Sequence, residues 1–432
     1  MNSTKTLEQD RAFVWHPFTQ HKGRLDPIVI ERAKGQYLYT SDGRKLFDAV
    51  SSWWVNIHGH CHPYLVEKIS EQLATLDHVI FAEKTHKPAV ELAKKLVELT
   101  PSGLAKVFYS DNGSTAVEVA LKMALQYWHN LGESKKRVLA FKNSYHGDTF
   151  GAMSVSQASA LNVPFQDKFF PVDFIDPPLR GQENRGLQQL KDLVQKNRAY
   201  ACFIYEPLVQ GAGGMLMQEA TELDEILAFA KAENILCIAD EVMTGFGRTG
   251  KIFASEFLTQ KPDIMCLAKG LTGGVLPLSA TLCTNSIYEA FLSDDKTKAF
   301  FHGHSFTANP VGCAAGLASY DILMDPKTTE QRAMIQSCHK DFCSELLQSS
   351  YKKFVKDCRV QGTIVAVELK TEGQTDYFNL VSEKIKSFVK TTDIMLRPLG
   401  NVIYIIPPYC SSKEDLGQTY KVIYDCIRYL FL

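Results

Sequence analysis

The chain has 432 residues, 45% apolar and 22% charged, with 47 basic against 48 acidic side chains and a net charge of −1. That balance argues against nucleic acid or an anionic membrane as partner, and the apolar content suffices for a large buried core. No apolar run spans a bilayer, the first residues lack the apolar stretch of a secretory signal, and 11 scattered cysteines without CxxC spacing read as reduced thiols, so a cytoplasmic protein without a metal site is expected.

In chain order, residues 25–50 carry short strand-like pieces around a turn at Ser41-Asp42-Gly43. Ser51-Ser52-Trp53-Trp54 follows, then IHGHCHP, in which His58, His60 and His62 alternate. No matching Cys/His cluster lies nearby, so these histidines read as loop and core residues and not as zinc ligands. Adjacent tryptophans beside a glycine-rich loop suggest an apolar wall for a long hydrocarbon substrate, with core packing as the competing reading for Trp54. KVFYS (106–110) predicts a strand, and the stretch from Ser114 predicts a helix with Val117, Ala120, Leu121, Ala124 and Leu125 on one face. RVLAFKN and YACFIYEP predict strands, a helix is expected from near Glu219 to Asn234, and ILCIADEV, DIMCLAKG and LPLSATLCT predict three more strands. Near-continuous apolar strands alternating with helices imply a doubly wound α/β unit whose mainly parallel sheet is covered on both faces. After a helix from about Asn309 to Leu323, the chain turns charged and helical, then gives strands at VQGTIVAVELK and NVIYIIPP. The expected organisation is a large domain at 56–325 and a small α+β domain built from both chain ends, 1–55 and 326–432.

Chemistry concentrates at strand ends. Lys269 closes an apolar run and is followed at once by Gly270 and Gly273-Gly274. Burial there favours the neutral amine, a nucleophile able to form a Schiff base with an aldehyde. Asp240 ends the neighbouring apolar run, where its charge would keep a pyridine nitrogen protonated. Together these are the two contacts that a pyridoxal phosphate enzyme needs most. The turn Asn112-Gly113-Ser114 opens a helix, whose free N–H groups suit a phosphate; capping of the helix by Ser114 is the equally weighted alternative. Tyr145 follows a strand in a loop placed to stack on a flat cofactor, while His146 reads as an ordinary loop hydrogen-bonder. Glu206 ends another strand, either near the ring or paired with an arginine such as Arg248. Ser305, in HGHSFTANP, offers a phosphate-binding hydroxyl across a subunit interface. Arg397 can hold a carboxylate through two parallel hydrogen bonds, and a surface ion pair is the alternative.

Taken together, WHPFTQ, SSWW with IHGHCHP, YSDNGSTAVEVALKMALQYW, KNSYHGDTFGAMSV, EPLVQGAGGM, DEVMTGFGRTG, LAKGLTGG, HGHSFTANP and RPLGNVIYIIPP resemble the class III, fold type I, pyridoxal-phosphate-dependent aminotransferases over nearly the whole chain. Within that class the motifs are most similar to those of biotin biosynthesis. The resemblance implies pyridoxal 5'-phosphate as cofactor, with Lys269 bonded to it and shuttling the proton, Asp240 on the ring nitrogen and Tyr145 over a ring face. It implies phosphate binding by Gly113 and Ser114, joined by Ser305 from the second subunit of a homodimer. It implies substrate contacts from Trp53, Arg397, Tyr404 and Phe18, with Arg397 on the carboxylate. The substrates implied are 8-amino-7-oxononanoate and, as amino donor, S-adenosylmethionine or lysine. Two positions depart from relatives. Met243 stands where many class III members have glutamine. Phe18 stands where relatives using S-adenosylmethionine often have tyrosine, and lysine-using relatives carry phenylalanine in a similar motif. The rival readings are an ω-amino acid aminotransferase using pyruvate or another keto acid, and a non-catalytic relative retaining the fold. The intact Lys269, Asp240 and phosphate turn argue against the second.

Overall fold

The computed structural model describes residues 3–23, 26–157, 162–372 and 379–432. Helix α1 (Ser3–Phe13) leads to the antiparallel strands β1 (Ile30–Lys34), β2 (Tyr37–Thr40) and β3 (Lys45–Asp48). Helices α2 (Pro63–Thr75) and α3 (Lys87–Leu99) precede the central part of the chain. There β4 (Leu104–Ser110), α4 (Gly113–Asn130), β5 (Arg137–Phe141), β6 (Val172–Ile175), α5 (Gly186–Lys196), β7 (Tyr200–Tyr205), α6 (Ala220–Ala232), β8 (Leu236–Asp240), β9 (Ile264–Leu267) and β10 (Ser279–Thr284) follow in turn.

Strands β4 to β10 form one seven-stranded sheet in the order β4-β10-β9-β8-β7-β5-β6. Their residues alternate between two cores. Val138, Ala140, Cys202, Ile204, Ile238 and Ile264 pack against α4 on one face. Leu139, Phe141, Phe203, Tyr205, Cys237 and Ala239 pack against α5 and α6 on the other. Both faces are buried, so the strands read as continuous apolar runs; all six residues of β7 are buried. Phe141 and Phe203 meet edge to face at 4.9 Å. Each such fully buried large side chain contributes about 1.5–3 kcal/mol by leaving water.

One strand departs from the expected parallel order. β10 is antiparallel to both β9 and β4. Only residues 268–278 connect β9 to β10, too short a stretch for the crossover helix that parallel neighbours require. The apolar composition of LPLSATLCT predicts burial and is silent on direction.

The remaining elements are α7 (Pro310–Leu323), α8 (Pro326–Gln348), β11 (Val355–Gln361), β12 (Ile364–Leu369), β13 (Ile394–Met395), β14 (Val402–Ile405) and α9 (Lys413–Phe431). VQGTIVAVELK, expected as one strand, contains the turn of the β11–β12 hairpin at Gly362, whose φ is 57°. β11, β12 and β14 form an antiparallel sheet. β13 lies parallel beside β3, with Ile394 opposite Phe47, so the two chain ends share one sheet. Among the described residues no helix is long and apolar enough to cross a membrane.

The reversed strand lies inside the sheet, next to the edge strand β4, and Leu282 on it is fully buried. Leu282→Ala should lower stability by about 2–5 kcal/mol, read as a lower urea midpoint with an unchanged slope.

Candidate active site

The C-terminal ends of β4, β7, β8 and β9 open on one crevice, the position where open α/β sheets bind ligands. A cavity of about 670 Å³ lies there, lined by Gly113, Ser114, Tyr145, Asp240 and Lys269 together with Glu206, Trp54 and Met243. Its anionic end is set by the turn between β4 and α4. Asn112, not Ser114, caps α4: its side chain accepts from Thr115 N (3.1 Å), and Thr115 Oγ1 accepts from Asn112 N (3.2 Å). This reciprocal box frees Ser114, whose Oγ instead meets Thr149 Oγ1 at 2.8 Å. Gly113 is required by space. A Cβ there would stand 2.6 Å from Val242 Cγ1 in the loop after Asp240. The first turn of α4 therefore comes up against the Asp240 loop, with its N–H groups suited to an anion.

Lys269 has φ 47°, a left-handed conformation two residues past β9. Burial lowers the pKa of its ammonium, while Asp240 and Glu206 pull it upward and Arg248 lowers it further. Gly274 lets the following loop close on the chain, since a Cβ there would sit 2.8 Å from the backbone of Val55. Asp240 is held from two sides. Its Oδ1 accepts from Val242 N at 3.1 Å, and its Oδ2 lies 2.7 Å from His146 Nδ1. An ionised carboxylate only accepts, so His146 carries the proton of that bond. The His146 side chain is wholly buried. Its expected role as an ordinary loop hydrogen-bonder gives way to that of direct support for Asp240.

Glu206 accepts from Tyr145 N (3.1 Å) and Gly211 N (2.9 Å), joining two walls of the cavity. Arg248, its suggested partner, instead donates to Pro407 O (2.7 Å) and Trp54 O (3.2 Å). Burial pushes the Glu206 carboxyl up to about 7, with Asp240 adding to the rise and His146 and the two N–H donors opposing it. The neighbouring Glu241 turns away from the cavity and is satisfied by Thr244 Oγ1, Ala254 N and Ser255. The acidic pair read in the sequence thus splits into one site carboxylate and one structural carboxylate.

The tryptophans come from an unusual backbone. Ser51, Ser52, Trp53 and Trp54 have φ values of 48°, 45°, 74° and 73°. Trp54 N donates to Val50 O (2.8 Å) and Val55 N to Ser51 O (3.0 Å), making one turn of left-handed helix. Such a turn costs roughly 1–2 kcal/mol per non-glycine residue. It sends the two rings to different places. Trp54 is buried in the cavity wall, 5.0 Å from Lys269 Nζ, and its Nε1 donates to Tyr404 Oη at 3.0 Å. Trp53 is 40% exposed, edge-on to Phe18 at 5.5 Å and 4.8 Å below the Arg397 guanidinium. Phe18, Trp53 and Arg397 therefore form a second group outside the cavity lining. Tyr404 is buried behind Trp54, and Ser305 lies on an exposed turn and is not part of the cavity lining.

The donor set fits the cofactor expected from the sequence. A helix terminus offers N–H groups to a phosphate, a buried carboxylate faces the same space, and an amine made less basic stands opposite. His146 and Glu206 are the residues that residue-type reasoning undervalued. For Glu206 the signal was its place at a strand's end. For His146 no signal existed beyond its place beside Tyr145.

A family model described as aminotransferase class-III matches residues 19–427. The adenosylmethionine-8-amino-7-oxononanoate aminotransferase of Synechococcus elongatus is 45% identical, covering 96% of this chain and 98% of its own. The protein of that name from Geobacter sulfurreducens is 39% identical over 96% of this chain and 95% of its own. Among solved structures, an adenosylmethionine-8-amino-7-oxononanoate aminotransferase from Methanocaldococcus jannaschii superposes with a TM-score of 0.94 at 34% identity, covering 100% of both chains. An amine transaminase from an uncultivated Pseudomonas species, in its PLP-bound form, gives 0.90 at 28% identity over 96% and 98%.

A carboxyl whose folded pKa lies above its ordinary value stabilises the fold at low pH and loses that contribution as pH rises through the folded value. Glu206, ordinarily near 4.5 and here about 7, should make the cofactor-free protein lose stability between those two values. Glu206→Gln should flatten that decline, read from urea midpoints across the window; an unchanged slope would refute the burial account.

Proposed function

Because this chain belongs to the class III aminotransferases, we propose that it transfers an amino group from S-adenosylmethionine to the ketone of 8-amino-7-oxononanoate, giving 7,8-diaminononanoate in biotin biosynthesis. It is an aminotransferase of fold type I, and its cofactor is pyridoxal phosphate. The reading is carried by one observation: Lys269, Asp240 and the first turn of α4 meet on a single cavity. When bound, the cofactor supplies an aldehyde that accepts an amino group and a ring that takes up the electron pair released at the donor carbon.

The chain's own residues do the rest. Gly113 and Ser114 offer the helix terminus to the phosphate. Asp240, oriented by His146, presents negative charge to the ring nitrogen. Tyr145 covers a ring face from a loop pinned by Glu206. Lys269 Nζ, shifted toward its neutral form by burial, takes a proton from the donor carbon and returns it to the acceptor. Trp54 keeps water from that amine. Trp53 and Phe18 supply an apolar wall and Arg397 a cation for a chain ending in carboxylate. Tyr404 acts through its bond to Trp54.

A homodimer in the cytoplasm is part of the proposal. Phe13, Trp15 and Phe301 are 84%, 90% and 79% exposed, large apolar side chains that a partner subunit would cover. Ser305 on its exposed turn would then serve the partner's phosphate. Lysine is the second reading for the donor, favoured by Phe18, which presents a bare ring beside Trp53 where a hydroxyl would contact the donor.

The purified protein loaded with cofactor should convert 8-amino-7-oxononanoate to 7,8-diaminononanoate, detected by mass, with S-adenosylmethionine or lysine as amino donor, and should not aminate pyruvate offered as the acceptor in its place. Lys269→Ala should lower turnover by about 100- to 10,000-fold. Amination of pyruvate alone would transfer the assignment to the ω-amino acid class.

A further inference from the structure

The left-handed turn at Ser51–Trp54 needs a restraint, and the structure shows where it comes from. Asp48, the last residue of β3, has a wholly buried side chain. Its Oδ1 accepts from Ser52 N at 2.9 Å, and its Oδ2 accepts from Ser52 Oγ at 2.7 Å. The carboxylate thus grips the second residue of the turn twice, through backbone and side chain. A third bond fixes the carboxylate itself. His60 Nε2 lies 2.8 Å from Asp48 Oδ2, and His60 Nδ1 lies 2.9 Å from Asn56 Nδ2. The Asn56 amide donates, so His60 Nδ1 accepts and the ring proton sits on Nε2, directed at Asp48. His60 is in turn held by backbone bonds in both directions with Gly35 (2.9 and 2.7 Å).

The neighbouring bonds to the turn act elsewhere. Ser51 Oγ donates to Ile406 O at 2.8 Å, and Arg248 reaches Trp54 O. These fix its first and last residues. The Asp48 carboxylate is what engages Ser52, which immediately precedes Trp53. A right-handed or extended Ser52 would swing Trp53 away from Phe18 and Arg397.

We propose that Asp48 is a positioning residue for the substrate-side wall: the Asn56–His60–Asp48 chain holds the left-handed turn and so places Trp53 between Phe18 and Arg397. It rests on the aminotransferase reading above for its substrate. Asp48 is not in the cavity lining, and Trp54, which is, keeps its own bonds to Arg248 and Tyr404, so loss of Asp48 acts on substrate binding and leaves cofactor attachment intact. An amide replaces it poorly. An asparagine side chain has one acceptor oxygen: turned one way its N–H groups meet Ser52 N, turned the other they meet the proton on His60 Nε2, so one of the carboxylate's bonds is lost.

The test compares Asp48→Asn with the unaltered enzyme. The Michaelis constant for 8-amino-7-oxononanoate should rise about tenfold with kcat within about twofold, the pattern of lost uniform binding. Borohydride should still fix the cofactor to Lys269 in full stoichiometry. Ser52→Gly in the Asp48→Asn background should recover most of the affinity, because glycine holds a positive φ without the carboxylate. Equal KM values in the folded variant, or no recovery by glycine, would overturn the proposal. If Asp48→Asn does not fold, Ser52→Ala, which keeps the backbone bond and loses the hydroxyl bond, should still raise KM, and an unchanged KM there refutes it. A crystal structure of the variant gives a readout that needs no substrate. Ser52 and Trp53 should leave positive φ while Ser51 and Trp54 keep their separate bonds; a turn unchanged from the native one would sink the role of Asp48 even if the substrate assignment itself were wrong.

Discussion

Lys269 stands where burial and charge oppose each other. The protein interior favours its neutral amine, while Asp240 and Glu206 favour the ammonium. Neither influence is free to relax, because each carboxylate is fixed by its own donors: Asp240 by His146 and Val242 N, Glu206 by Tyr145 N and Gly211 N. The amine therefore lies in a preset field. The sheet makes this possible, since four strand ends deliver these residues to one place and the helices on both faces bury the strands that carry them.

Most of the fold was legible in the apolar pattern. A strand buried on both faces has no polar side to read, so β5, β7, β8 and β9 stand out as short continuous runs between helices. Direction does not stand out, because a buried strand has the same composition either way; the reversal of β10 follows from loop length, a geometric fact that composition does not carry. The hairpin at Gly362 was hidden for a related reason. Glycine inside an apolar run can mark a bulge, a close approach or a turn, and only pairing decides among them.

In the site, legibility followed chemistry. Lys269 and Asp240 declare themselves because a charged group at the end of a buried run is costly without a purpose. Gly113 declares itself by its place before a helix. His146 does not, since its importance lies in one bond to a residue 94 positions away. The left-handed turn at Ser51–Trp54 is less visible still. Serine and tryptophan have no preference for positive φ, and the conformation is imposed by Asp48, Ile406 and Arg248 from outside the segment. Local propensity and tertiary restraint disagree there, as they tend to at functional sites.

The two chain ends are joined to the central sheet by a comparable tension. Arg248 is buried, and among the described residues no carboxylate pairs with it; burial lowers its pKa accordingly. Its guanidinium instead donates to Pro407 O, from the C-terminal strand region, and to Trp54 O, from the N-terminal turn, with the Tyr409 ring 5.1 Å away. A charge bonded to carbonyl dipoles is held less tightly than one in an ion pair, but it can bind two segments at once. Those two segments carry the tryptophan wall and the strand that supports Tyr404. The cation therefore links the cavity to the turn that carries Trp53, and a shift of either chain end is felt at Trp54, against Lys269.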